Sequence, residues 1–387
     1  MKFKRIFLVV LDSLGIGAAR DADLYGDGNA NTLKHIIDET KENFPYLEKL
    51  GLYNLILDKD EKVYGYYTKA IPISKGKDTL TGHLEMMGIK TEVPLKTFTK
   101  KGFPKELIQE LEMETGRKVI GNKSASGTEI IKELGSQHMK TGRLIVYTSA
   151  DSVLQIAAHE SIIPVSELYK ICEIARKITL KDEWKVGRVI ARPFTGKPGE
   201  FVRTMNRHDF ALNPSAPTVL DGLKEKRLDV ISIGKINDIF NGVGITHSIK
   251  TSDNTDGINK IIETMQRPFT GLCFANLNDF DSKYGHRRNP KGYAKALKEF
   301  DDKIPYIIKE MRDRDLLIIT ADHGNDPTYE GTDHTRENVP VIMFSRDFKE
   351  PDFIDYLSTF ADIGATIADN FDSELPEIGK SFLNKLK

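Results

Sequence analysis

Residues 315–337 read DLLIITADHGNDPTYEGTDHTRE. Leu316 to Thr320 make a short apolar run of the kind found in a buried strand. It leads straight into Asp322, His323, Asn325 and Asp326, with Asp333 and His334 in the same loop. A carboxylate at the end of a buried strand is costly unless something positive stands beside it, and between Leu316 and Thr335 there is no Lys or Arg. A divalent cation is the simplest partner, because Asp and neutral His are ligand types for borderline ions such as manganese or zinc. The loop is therefore read as half of a metal site.

Working outward, RIFLVVL at 5–11 is apolar throughout rather than alternating, which suits a strand buried on both faces of a parallel sheet, and Asp12 stands at its end. The pattern recurs in LDVISIG at 228–234, which ends near Lys235, and in LCFANLNDFD at 272–281, which ends in carboxylates. Open α/β sheets bind ligands at the carboxyl ends of their strands, so these polar clusters point to one shared site. Helical spacing alternates with the strands: 292–312 carries Tyr293, Leu297, Phe300, Ile304, Ile308 and Met311 on one face, with a kink expected at Pro305. Shorter helices are expected over 31–40, 255–266 and 361–369, and the alternation predicts an α/β fold with a central, mostly parallel sheet.

At 387 residues the chain exceeds the usual single domain, and its middle has a different texture. A helix opens at Pro104, followed by a loop GNKSASGTE (121–129), a helix to Gly135, a strand RLIVYTSA (143–150), a helix over 164–180 and a strand GRVIARPF (187–194). Pro193, Pro198 and Gly199 then mark a long loop carrying Arg203, Arg207 and His208. The expectation is a discontinuous core, 1–97 and 212–387, with an α+β domain inserted over 98–211.

A net charge of −1 and the lack of a basic run interleaved with aromatics argue against nucleic acid as a partner. Cys172 and Cys273, the two cysteines, offer neither a disulfide framework nor a thiolate metal site, which fits a reducing compartment. The apolar run in MKFKRIFLVVLDSLG is cut off by Asp12, too early for a signal peptide or a membrane span, so a soluble cytoplasmic protein without a membrane partner is expected.

Taken singly, most of these residues have ordinary explanations. Asp12 alone reads as a cap or turn residue, and DFDSKYGH (279–286), with Asp279, Asp281 and His286, reads as a solvated loop. Together with 322–334 they supply more carboxylates and imidazoles than one ion uses, about what a pair of ions clamping a phosphoryl group requires. Residues 75–88, KGKDTLTGHLEMMG, look like a loop feeding a helix. Thr79 and Thr81 are N-caps by default, but a hydroxyl at a helix N-terminus also favours an attacking oxyanion or an attached phosphate. These residues alone do not choose between the two threonines; His83 reads as structural. Arg188, Arg192, Arg203, Arg207 and Lys235 are suited to gripping phosphate, though scattered surface Arg is the commoner case. Ser149 and Asp151 suit either sugar hydroxyls or helix capping.

The motifs VVLDSLGIG (9–17), GKDTLTGH (76–83), DFDSKYGHRR (279–288), TADHGNDP (320–327) and GTDHTRE (331–337) resemble those of the phosphopentomutase family of the alkaline phosphatase superfamily. GNKSASGTEI, YTSADSVLQIAAHE, VGRVIARPF and NRHDF resemble that family's cap domain, so the likeness spans essentially the whole chain. It implies an alkaline-phosphatase-like core with two manganese ions. One would be held by Asp12, Asp322 and His323 with Thr79, and the other by Asp281, His286 and His334. It further implies that Thr79 carries phosphate, that a sugar bisphosphate activates the enzyme, and that pentose phosphates are interconverted between their 5- and 1-phosphates. Asp279 is no ligand in that scheme. The inserted domain would exclude water from the phosphothreonine. A metal-dependent phosphatase or phosphodiesterase on the same core is the alternative.

Overall fold

Arg5–Leu11 forms a strand whose every residue is buried, as its unbroken apolar composition requires. The computed structural model describes residues 1–57, 62–149 and 152–387. In chain order the strands are β1 (Arg5–Leu11), β2 (Tyr66–Ala70), β3 (Val119–Ser124), β4 (Leu144–Thr148), β5 (Val153–His159), β6 (Arg188–Thr195) and β7 (Val202–Arg203). They continue with β8 (His208–Ala211), β9 (Asp229–Ile233), β10 (His247–Ile249), β11 (Gly271–Leu277), β12 (Asp315–Thr320) and β13 (Val339–Phe344). Two compact units result: Met1–Val93 with Asn213–Lys387, and Pro94–Leu212.

The first unit is built on a seven-stranded sheet in the order β10-β9-β11-β1-β12-β13-β2. Pairings from β10 to β12 are parallel, and β13 and β2 complete the sheet antiparallel. In the register of β1, Leu11 lies opposite Leu277 and Val10 opposite Thr320. The chain therefore leaves β1, β11 and β12 at the same edge, and Asp12, Asn278 and Asp322 emerge side by side. β13 carries Pro340, a residue that an interior strand rarely tolerates. Its pairing with β12 stops at Val341, so Pro340 has only β2 beside it.

Helices cover the sheet with their apolar faces. Pro290–Asp301 is capped by Asn289, which accepts from Gly292 N at 2.9 Å, and buries Tyr293, Leu297 and Phe300. The kink expected at Pro305 is instead a complete break: a second helix, Ile304–Glu310, starts after Lys303. Pro305 then falls in that helix's first turn, where its missing N–H costs nothing.

The second unit has a six-stranded mixed sheet, β3 to β7 in sequence with β8 on β6. β4 explains its apolar composition: Leu144 and Val146 pack with the helices Lys105–Thr115 and Val165–Ile178, while Ile145 and Tyr147 pack with the helix Gly127–Thr141 on the other face. Several expectations for this region need correction. GNKS is not loop but the end of β3, paired to β4 through a bulge after Gly121. The helix does not stop at Gly135; a side chain there would meet the Phe201 ring at 2.5 Å, so this glycine serves packing, and Gly142 at φ +65° is the stop. β5 had not been read, and the loop after Pro193 contains β7 and β8. The boundary lies at 93/94 rather than 97/98, since Lys96 N bonds to Lys185 O at 2.9 Å. At the other end it lies at 212/213 rather than 211/212, since Leu212 N bonds to Gly187 O. Among the described residues no helix is long and apolar enough to cross a membrane. Cys172 and Cys273 are both free and buried.

Candidate metal centre

Asp12 is fully buried at the end of β1. Its Oδ2 accepts from Asn276 Nδ2 at 2.9 Å, but its Oδ1 has no protein donor. Asp322, one strand over, accepts from Ser13 N at 3.1 Å through Oδ1; its Oδ2 accepts no hydrogen bond, His83 Nδ1, which bonds Thr79 O, being 3.2 Å away. His323 donates Nδ1–H to Gly324 O at 3.0 Å, a tautomer inferred from this partner. That turns its Nε2 toward both orphans, 3.4 Å from Asp12 Oδ1 and 3.4 Å from Asp322 Oδ2. Ligand atoms of these three residues lie within 4.8 Å of one another.

A second group of the same span comprises Asp281, His286 and His334. Asp281 sits in a wide helical turn, Phe280–Gly285, where a loop had been expected. His286 donates from Nδ1 to Thr332 O (2.7 Å) and His334 from Nδ1 to Lys77 O (2.9 Å). Their Nε2 atoms then face each other at 3.1 Å, each 3.3 Å from an Asp281 oxygen. Two neutral imidazoles so oriented direct lone pairs at each other, an arrangement that needs a proton or a cation between them. The His323 and His334 rings stack at 4.0 Å, so the two groups are neighbours.

The electrostatics state the same need. Burial, followed by the charge of Asp322, raises Asp12 above the ordinary carboxylate range. Burial opposes charge on His323, yet Asp322 and Asp12 raise it well above the usual imidazole value. Burial likewise opposes ionised Asp281, but His334 and His286 hold it well below the usual range. In the protein alone, a proton on His323 stands in for missing positive charge at the first group. Orphaned carboxylate oxygens and converging Nε2 atoms, each His held through Nδ1 by a backbone carbonyl, fit divalent cations with oxygen and nitrogen ligands.

Thr79 opens the helix Thr79–Met86, and its Oγ1 lies 3.2 Å from His323 Nε2. Neither threonine caps this helix. Asp78 does, accepting from Thr81 N (3.1 Å) and Thr81 Oγ1 (2.6 Å), so the Thr81 hydroxyl is consumed in the cap. The helix lies close against the ligand loop: a side chain at Gly82 would stand 2.0 Å from Asp322 O. Buried His83 bonds through Nδ1 to Thr79 O at 2.8 Å and faces Asn276 Nδ2 through Nε2 at 3.4 Å.

Other residues singled out above belong to neither group. Asp326 turns to His35 Nδ1 (2.5 Å) and Asn31 N (3.0 Å), and exposed Asp333 caps His334 N at 2.9 Å. Asp279 ties Asn254 N (3.0 Å) to Lys283, and Lys235 bonds Asn278. In the second unit, Arg207 forks onto Asp209 with two 2.8 Å bonds, Arg188 lies 3.6 Å from the same carboxylate, and Arg192 bonds Gln155 at 3.0 Å. Arg203 is exposed, and Ser149 accepts from Gln155 at 3.3 Å. Asp151 lies outside the described residues. Sequence reasoning missed Asn276 and gave no role to Asn325, which donates to Asp281 Oδ1 at 2.7 Å and accepts from Arg288 at 2.6 Å. Asn276 had a signal: it is a polar residue inside a wholly buried strand.

A mostly parallel α/β sheet with two oxygen-and-imidazole groups at its carboxyl edge defines a metal-binding protein. The chain belongs to the metalloenzyme superfamily, whose family model matches residues 4–375. It is similar in structure to the PH0037 protein of Pyrococcus horikoshii, at 15% identity and a TM-score of 0.50, over 96% of this chain and 98% of that one. A phosphoglycerate mutase of Leishmania mexicana, described at low cobalt concentration, is similar at 11% identity and a TM-score of 0.47, over 98% and 97% of the two chains. A protein of the alkaline phosphatase superfamily from Vibrio parahaemolyticus is similar at 12% identity and a TM-score of 0.45, over 99% of this chain and 70% of that one. At such identities the likeness concerns the fold; membership of the superfamily makes the protein a metal-dependent enzyme.

Proposed function

We propose that the enzyme is a phosphopentomutase, moving phosphate reversibly between C5 and C1 of ribose or 2-deoxyribose. The observation that carries this reading is the Thr79 hydroxyl, at a helix N-terminus and 3.2 Å from the His323 nitrogen that also faces Asp12 and Asp322. Asp12, Asp322 and His323 would hold one ion and Asp281, His286 and His334 the other, and the ions, manganese in this reading, would neutralise phosphoryl charge and favour ionisation of the Thr79 hydroxyl.

The chain's own part begins with phospho-Thr79. Its phosphoryl group passes to the free C1 hydroxyl of the bound 5-phosphate: the P–Oγ bond breaks, a P–O bond to the sugar forms, and that hydroxyl gives up its proton. The resulting bisphosphate returns its other phosphoryl group to Thr79 Oγ1, and the freed C5 oxygen takes up a proton. Sugar bisphosphate thus activates enzyme that has lost its phosphate. The positive end of the helix Thr79–Met86 favours the phosphorylated state, and the His83–Thr79 O bond holds its first turn. We assign the distal phosphate to groups of the second unit, with Arg188, Arg203 and Arg207 the leading candidates, the sugar hydroxyls to Ser149 and Asp151, and a further substrate contact to Lys235. Support comes from the shared surroundings of Arg188 and Arg207, which both approach the Asp209 carboxylate, at 3.6 and 2.8 Å. Exclusion of water by the second unit is part of the same proposal.

The test is manganese-loaded protein incubated with ribose 5-phosphate and a trace of sugar bisphosphate. Ribose 1-phosphate is the expected product; free phosphate as the main product would instead favour the phosphatase reading.

A further inference from the structure

The segment before Thr79, residues 72–78, contains no regular secondary structure, so its backbone must be held by something else. Glu85 accepts from Ile73 N and Ser74 N, and Lys75 N bonds Thr91 O; two carbonyls of the loop are held by Arg336, a residue of the GTDHTRE motif with no part in the ligand groups and only 2% exposed. Its Nη1 donates to Gly76 O at 2.7 Å and its Nη2 to Pro72 O at 3.2 Å. The same guanidinium forks onto Asp21 with two 2.9 Å bonds and lies 5.0 Å above the Tyr25 ring. A buried guanidinium is retained only where its charge and donors are met, and here they are met by one carboxylate and two carbonyls of this loop. Lys77 adds a parallel link: its Nζ bonds Asp27 Oδ2 at 2.9 Å, and that oxygen also accepts from Arg336 N at 2.8 Å. Lys77 O, in turn, receives His334 Nδ1. One short stretch, 334–336, therefore holds both a nitrogen of the second ligand group and the loop that presents Thr79.

We propose that Arg336, locked by Asp21, is a positioning residue: it fixes the loop 72–78 so that the Thr79 hydroxyl meets the first ligand group, and through His334 and Lys77 O it couples that placement to the second. This rests on Thr79 being the phosphate carrier. The fork is what matters, since two carbonyls and a carboxylate must be reached at once. Lysine, a single point charge, cannot span them.

The experiment compares manganese-loaded parent, Arg336→Met, Arg336→Lys and Asp21→Asn by metal stoichiometry, by amide hydrogen exchange over 72–80, and by intact mass after treatment with sugar bisphosphate. All three variants are expected to keep both ions, because no ligand is altered, and to exchange faster over 72–80 than the parent. Phosphoryl loading and kcat are expected to fall, on the order of 100-fold in Arg336→Met, the scale of a 1 Å misplacement, with KM for the sugar phosphate little changed. Asp21→Asn keeps Arg336 and its two carbonyl bonds, so it is expected to be folded and milder, covering the case in which Arg336→Met does not fold. Parent-like exchange and loading in the folded variants would overturn the clamp. An absence of the added phosphoryl group in the parent itself would instead overturn the carrier reading, while the exchange measurement continues to test the clamp.

Discussion

Strands β1 and β12 carry a buried charged pair at each end, and the two ends are treated in opposite ways. At the amino end, Arg5 lies opposite Asp315 in register; its Nε donates to Asp315 Oδ1 at 2.8 Å and its Nη2 pairs with Oδ2. The remaining donor bonds Met265 O and Arg267 O at 2.7 and 2.9 Å, and Arg312 N adds a 2.7 Å bond to Asp315. At the carboxyl end two carboxylates, Asp12 and Asp322, face each other with an orphan oxygen apiece. Both ends lie in the same low-dielectric interior. One is neutralised by a fixed guanidinium and serves stability; the other sets two carboxylates together with only titratable imidazoles beside them, which is the physical form of a cation site.

The largest expected effect lies at the open end. Thr79→Ala should keep both ions, because three protein side chains remain in the first group, yet lose mutase turnover entirely, since alanine has no oxygen to carry phosphate. Thr79→Ser should retain part of it, having the hydroxyl without the methyl group that restricts its rotamer. Mass measurement after sugar bisphosphate treatment should show one added phosphoryl group in the parent and none in the alanine variant. Interconversion of pentose phosphates by Thr79→Ala would end the carrier mechanism. Thr81→Ala should turn over normally, since that hydroxyl is engaged by Asp78.

At the closed end, Asp315→Ala strands Arg5 in the interior and should cost roughly 3–5 kcal/mol in urea unfolding. The open end should give the opposite sign. In chelated protein, Asp12→Asn removes one of two like charges and should be neutral or stabilising by about 1 kcal/mol. When manganese is added, the parent should gain melting temperature and the variant should gain less, because ligand binding stabilises only the folded state. A destabilised Asp12→Asn without metal would mean that this end, too, is neutralised by the chain.

Asp301 falls between these extremes. Its Oδ1 caps the helix Pro45–Lys49 by accepting from Tyr46 N (3.0 Å) and Leu47 N (2.7 Å), while its Oδ2 accepts no hydrogen bond and has only Lys298 Nζ 4.0 Å away. Burial pushes it up to about 6. An acid raised in the folded state binds its proton more tightly there than in the unfolded chain. Its stabilising contribution is therefore complete below about 3.9 and lost as pH rises through about 6. The stability of Asp301→Asn relative to the parent should thus climb across that window, by on the order of 1 kcal/mol. A pH-independent difference would show that the carboxylate is already compensated.

The contrast also separates what was legible in the sequence from what was not. RIFLVVL and LLIIT could be read as buried parallel strands because a strand covered on both faces has no alternation, and that signal is local. Acidic and imidazole residues at strand ends were conspicuous for the same reason: buried polar groups are rare enough that each needs a partner. Gly135 misled because a glycine that ends a helix and one that admits an aromatic ring look alike until Phe201 is in place. Asn276, Asn325 and Arg336 passed with no role given, because hydrogen bonding to a distant ligand or loop leaves no mark on a residue's own neighbours.

By itself, the sequence determined the α/β alternation, the edge of the sheet where chemistry gathers, and the residue types available there, since periodicity and composition act over a few positions. Tertiary structure decided that β13 and β2 close the sheet antiparallel, that Asp12 lies level with Asp322, and that the Nε2 atoms of His286 and His334 converge. It also decided that Thr79 rather than Thr81 meets His323. These are matters of register and of hydrogen bonds between residues as far apart as Asp12 and Asn276, and they exist only once the strands have paired.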